Sequence, residues 1–114
     1  VKLGAVDVAI AKVQRTGGLT LSRRLCQYAD DSGVRLMGSG LTESDVGLAA
    51  SLHLFAAFGI TTPVDLNGRQ FIESPYTNAT ITVSRGEAVI ADAPGLGVDV
   101  DEQWLLDHSA ATAL

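Results

Sequence analysis

The sequence has a single cysteine, Cys26, so no internal disulfide can form and a reducing compartment is the expectation. Cations are scarce: eight Lys and Arg stand against 13 Asp and Glu, giving a net charge of -5 and a pI near 4.7. Phosphate backbones are held by clustered Lys and Arg, so this balance excludes nucleic acid as the main partner. Long apolar runs are missing too. None reaches the ~20 residues that a membrane span needs, and no signal segment is visible. The longest candidate, residues 46–60, carries His53 and several small residues and reads as a buried globular helix. A cytoplasmic protein with no membrane partner is therefore expected. Two distant histidines and one cysteine offer no metal-ligand spacing. With 114 residues the chain has room for one domain but not for a closed α/β barrel, which takes about 250. It starts at Val1 rather than methionine, as processing, an artificial boundary or membership of a larger protein would each produce.

What is present is apolar enough to fold. Hydrophobic residues make up 46% and the mean hydropathy is +0.25, which excludes intrinsic disorder. Residues 5–11 form a nearly continuous apolar run, the pattern of a strand buried on both faces. After the Gly17-Gly18 loop, Thr20 is a helix N-cap candidate. Leu21, Leu25, Tyr28 and Ala29 then share one helical face, and Gly33 stands at the C-cap. Val34-Arg35-Leu36-Met37 predicts a second strand that ends in Gly38-Ser39-Gly40. A helix from Thr42 or Ser44 to Phe58 follows, apolar on nearly all sides, and then a third strand over residues 60–64 that contains Pro63. This alternation is the signature of right-handed parallel βαβ units. Beyond Asp65 the pattern changes. Residues 80–83 and 88–90 flank Ser84-Arg85-Gly86-Glu87 as a hairpin with a four-residue loop. A turn at Pro94-Gly95-Leu96-Gly97 then leads to a short acidic-capped helix over residues 101–106.

Parallel α/β structures bind ligands at the carboxyl ends of their strands. That rule selects Lys12 after the first strand, Ser39 and Glu43 after the second, and Asp65 and Asn67 after the third. A lysine partly withdrawn from water can serve as acid or base, and carboxylates can orient an ammonium or hydroxyl group. Each residue also has an ordinary structural reading. Lys12 fits a solvated loop, Glu43 the first turn of a helix, and Asp65 and Asn67 before Gly68 a plain turn. Their shared address at successive strand ends sets them apart. His53 reads as a packed or rim residue and His108 as exposed.

Four segments resemble the enolase superfamily in its muconate-lactonizing subgroup, as in muconate and chloromuconate cycloisomerases. Residues 10–18, Ile-Ala-Lys-Val-Gln-Arg-Thr-Gly-Gly, are similar to the sixth barrel strand. Residues 38–47, Gly-Ser-Gly-Leu-Thr-Glu-Ser-Asp-Val-Gly, resemble the seventh-strand segment, and Asp65-Leu66-Asn67-Gly68 the eighth-strand ending. Residues 94–102 resemble the carboxy-terminal signature. The four stand in the family's order and cover essentially the whole chain, which would be the last third of a typical member.

The resemblance implies an α/β fold: the last three βα units of a TIM-type barrel over residues 1–68, then a tail with a β-hairpin and terminal helix over residues 69–114. It implies an isomerase-type parent that removes a proton alpha to a carboxylate and uses a divalent metal, usually Mg2+, to stabilise the enediolate. Lys12 would be the acid or base, Glu43 would line the pocket, and Asp65 and Asn67 would contact substrate. Asn67 departs from the commoner aspartate, which weakens an ammonium-binding, dipeptide-epimerase type of specificity. The family's metal carboxylates on strands three to five, its second-strand Lys-x-Lys and its capping domain have no counterpart here. This chain alone is therefore expected to hold no metal and to be inactive. The alternative is a non-catalytic partial barrel that covers its open edges by self-association, or by pairing with the missing amino-terminal part.

Overall fold

The computed structural model describes residues 3–72, 76–78, 81–90 and 92–109. Strand β1, Val8–Ala11, uses only the second half of the apolar run. A single helical turn α1, Val13–Thr16, follows and is closed by Gly17 at φ 93°, a backbone angle that side-chain-bearing residues rarely adopt. Helix α2, Leu19–Asp31, leads to β2, Arg35–Thr42, and helix α3, Asp45–Ala57, to β3, Asp65–Asn67. The three strands form one parallel sheet in the order β1-β2-β3. Val8 pairs with Arg35 and Ala11 with Gly38, while Ser39 pairs with Asp65 and Thr42 with Asn67 across an irregularity. Both crossovers are helical, as the alternation predicts. The third strand, by contrast, is followed by one 3-10 turn, Arg69–Phe71.

One side of the sheet is packed. Ala11, Val13, Cys26, Ala50, Leu54 and Phe55 form the buried core, and Leu36, Phe58, Ile60, Val64, Leu66 and Leu96 pack against it. The other side is open: Val8 and Ile10, alternating with Ala9 and Ala11, remain 37% and 50% exposed.

Several expectations need correction. β2 does not end in Gly38-Ser39-Gly40 but runs through them to Thr42. These glycines act as sites of close approach. A Cβ on Gly38 would lie 2.5 Å from the Phe55 ring, and one on Gly40 would press on Leu66 and Glu43. The third strand is not residues 60–64 but Asp65–Asn67. Ile60 instead closes α3, its N–H bonding to the Phe55 carbonyl, and Pro63 has no N–H for a ladder. On α2 the predicted buried face is mostly outside: Leu21, Leu25 and Tyr28 are 47%, 36% and 54% exposed. Of that face only Ala29 is buried, and the small residues Ser22 and Cys26 join it facing inward, which lets the helix sit close to the sheet.

The tail forms an antiparallel hairpin of β4, Thr82–Ser84, and β5, Glu87–Val89. Thr80, the first residue of the predicted strand, lies outside the described residues. Ser84 pairs with Glu87, so the loop is two residues rather than four. Arg85 and Gly86 carry φ of 53° and 80°, the two positive values of a type I′ turn. Helix α4, Glu102–His108, is capped by the Asp101 side chain, which accepts from the Trp104 N–H at 2.9 Å. Tyr76, Trp104 and His108 stack face to face, and Thr77 bridges to Val100.

Candidate functional site

Strand register brings the sequence-selected residues to one end of the sheet. Lys12 directly follows β1 and caps α1, its carbonyl accepting from the Thr16 N–H and hydroxyl. Its Nζ donates to Ser39 Oγ at 2.7 Å and to the Gly40 carbonyl at 2.9 Å. Ser39 is 6% exposed, so this is a sheltered arrangement rather than a solvated loop lysine. Ser39 is also the register partner of Asp65. One strand end thus carries an ammonium, a hydroxyl and a carboxylate across three neighbouring strands.

Asp65 and Asn67 lie within β3 rather than after it. Asn67 Nδ2 donates to Asp65 Oδ1 at 3.4 Å, a long contact, which leaves the amide oxygen available as an acceptor. Asp65 is exposed and Asn67 half-buried. The Asn67 carbonyl accepts from the Glu43 N–H at 3.1 Å and so ties the end of β3 to the segment after β2.

Glu43 is placed differently from both sequence readings. It is not in the first helical turn, because Ser44 is the N-cap of α3 and accepts from the Gly47 N–H. Nor is it an open pocket wall: it is 1% exposed. Its Oε2 accepts from Ser51 Oγ at 3.2 Å and its Oε1 from the Leu41 N–H at 3.4 Å. Gly68, at φ 154°, passes so close that a side chain there would overlap the Glu43 carbonyl oxygen. Burial of an acid this complete is unusual and needs such partners.

Sequence reasoning missed two groups. Ser51 is one; the available signal was a polar residue within a mostly apolar helix, eight positions after Glu43. The other is Asp45, whose 2% exposed side chain meets Arg69 Nη1 at 2.9 Å and also accepts from Thr77 Oγ1. No short-range pattern links Asp45 to residues 24 and 32 positions away. His53 is half-buried, its Nε2 without a hydrogen-bond partner among the described residues, and His108 is exposed.

Among the described residues no three His, Cys, Asp or Glu side chains gather to hold a metal ion. Asp45, the buried carboxylate with an unpaired oxygen, is already committed to Arg69 and Thr77. The described residues do not fit a magnesium site. No helix among the described residues is long and apolar enough to cross a membrane.

A parallel sheet packed on one side, with polar residues at its carboxyl end, defines part of an α/β scaffold. Residues 1–104 match the Enolase C-terminal domain-like family, and the chain belongs to it. It is 30% identical over 103 residues to muconate cycloisomerase 1-1 of Acinetobacter lwoffii, covering 90% of this chain and 27% of that protein. Its structure resembles muconate lactonizing enzyme from Pseudomonas putida with a TM-score of 0.81 at 28% identity, over 91% of this chain and 29% of the other. It also resembles a dipeptide epimerase from Methylococcus capsulatus complexed with Mg ion, with a TM-score of 0.77 at 28% identity, over 86% and 28%. The chain thus spans less than a third of the length of these relatives.

Proposed function

We propose that this chain is the carboxy-terminal part of a cytoplasmic, metal-dependent enolase-superfamily enzyme of the cycloisomerase or racemase type. Residues 1–68 would supply the last three βα units of its barrel and residues 69–114 its tail. The supporting observation is the Lys12 Nζ, held at a strand end by Ser39 Oγ and the Gly40 carbonyl. In the proposed reaction Lys12 takes the proton alpha to a substrate carboxylate. The C–H bond breaks, its electron pair enters the enediolate, and the proton rests on Nζ until it is returned. Asp65 and Asn67 hold polar groups of the substrate. With a single carboxylate on β3, an ammonium-bearing substrate is the less favoured choice. Glu43, sealed by Ser51 and Leu41, supports the wall behind Lys12. Magnesium would be held by the parent on carboxylates that this chain does not carry, so the chain alone is inactive.

A second reading is favoured by the exposure of Ile10 on the open face and of Leu21 and Tyr28 on α2. In it the chain is a non-catalytic partial barrel that self-associates or pairs with the missing part. The reading frame upstream of Val1 separates the two: a Lys-x-Lys strand and three acidic strand ends support the enzyme, and a start codon directly before Val1 sinks it. For the chemistry, Lys12→Ala in the full-length parent is expected to abolish alpha-proton exchange in deuterated water. Undiminished exchange removes Lys12 from the mechanism.

A further inference from the structure

We infer that Ser39 is a positioning residue that fixes the direction in which Lys12 gives and takes its proton. The inference rests on the reading of Lys12 as the proton carrier and adds to it the residue that aims it. An amine nitrogen on a side chain has three positions beyond its carbon: three N–H bonds when protonated, two N–H bonds and a lone pair when neutral. Ser39 Oγ at 2.7 Å and the Gly40 carbonyl at 2.9 Å each accept one N–H. Both can remain satisfied in either protonation state, so one position alone is left for the travelling proton.

The acceptors are rigid for separate reasons. Gly40 lies inside β2, where the strand backbone holds its carbonyl and Leu66 and Glu43 leave no room for a side chain. Ser39 is 6% exposed, is paired with Asp65, and keeps only a long 3.5 Å contact of its own to the Gly40 carbonyl. Its hydroxyl is therefore free to accept from Lys12. Alanine at this position would leave the ammonium one tether and a second mobile N–H.

The test is competitive acetylation of this chain, which has two lysines, Lys2 and Lys12, with Cys26 as a fold reporter. A hydrogen bond to a charged group corresponds to roughly tenfold or more in equilibrium. Folded Lys12 is expected to acetylate about tenfold more slowly than in urea, relative to Lys2. Ser39→Ala is expected to remove most of that protection while Cys26 stays unreactive, and Ser39→Thr to restore it. Three outcomes overturn the inference: wild-type Lys12 reacting as it does in urea, Ser39→Ala leaving its protection intact, or Ser39→Thr losing protection with Cys26 still buried. If Ser39→Ala exposes Cys26, the Ser39→Thr chain carries the test, with retained protection the supporting result. A parent that still exchanges its alpha proton after Lys12→Ala overturns the catalytic reading but leaves the labelling result as it was, so the two failures are distinguishable.

Discussion

Cys26 has no exposed surface, and burial pushes its thiol above the ordinary value because the thiolate is penalised away from water. The folded chain then keeps a proton that the unfolded chain has released. Stability must therefore fall as pH rises past the ordinary thiol range of about 8.5. The urea midpoint of the wild type is expected to drop more between pH 7.5 and 9.5 than that of Cys26→Ala, measured by circular dichroism. Equal drops would show that burial does not govern the thiol. At this scale the sequence was informative where chemistry and address coincided. Lys12, Asp65 and Asn67 could be selected because each stands near the end of a strand. Ser51 carried only a weak signal, a polar residue on a mostly apolar helix, and its bond to Glu43 eight positions earlier is seen only once β2 has turned into α3.

Among the elements, α3 shows how local and long-range forces divide the work. Its start was legible to within two residues, as Thr42 or Ser44, because a capping hydroxyl is a local device contributing about 1 kcal/mol; the structure selects Ser44. What anchors that start is distant: Asp45 joins Arg69 just beyond β3 and Thr77 in the tail. Asp45→Ala is expected to cost about 1–3 kcal/mol of stability. That figure is kept low because the Arg69 side chain is 39% exposed and water recovers part of the loss. A urea midpoint unchanged from wild type would remove the clasp from the account. The misplaced elements share one cause. Glycine in β2 and the apolar residues 60–64 were read by their usual habits. The Phe55 ring needs the bare Gly38 backbone, and Ile60 and Val64 are drawn into the core as loop residues. On α2 the larger apolar side chains turn outward because only Ser22, Cys26 and Ala29 are small enough for close contact with the sheet.

Taken whole, the molecule is spread out for its size. Its radius of gyration is 16.0 Å, against about 13 Å for a compact domain of similar length. The open sheet face and the apolar outer face of α2 are surfaces that proteins ordinarily cover. The chain on its own is expected to self-associate, so light scattering should give a mass above the 11.9 kDa of one copy. A well-folded monomer would contradict this. The parallel α/β class was legible from the alternation of apolar runs and helical faces. The exposure was foreshadowed only by length, since periodicity reports which face is apolar and says nothing about what lies against it.

The tail has one more consequence, through Trp104. It is the only tryptophan in the chain, and it lies between Tyr76 and His108 in the tail, outside the core beneath the sheet. Its emission therefore reports on the tail, whereas far-ultraviolet dichroism is dominated by α2 and α3. A single sample carries two optical channels, one for each half of the sequence. Comparing them shows whether the Asp45 clasp makes the halves melt together.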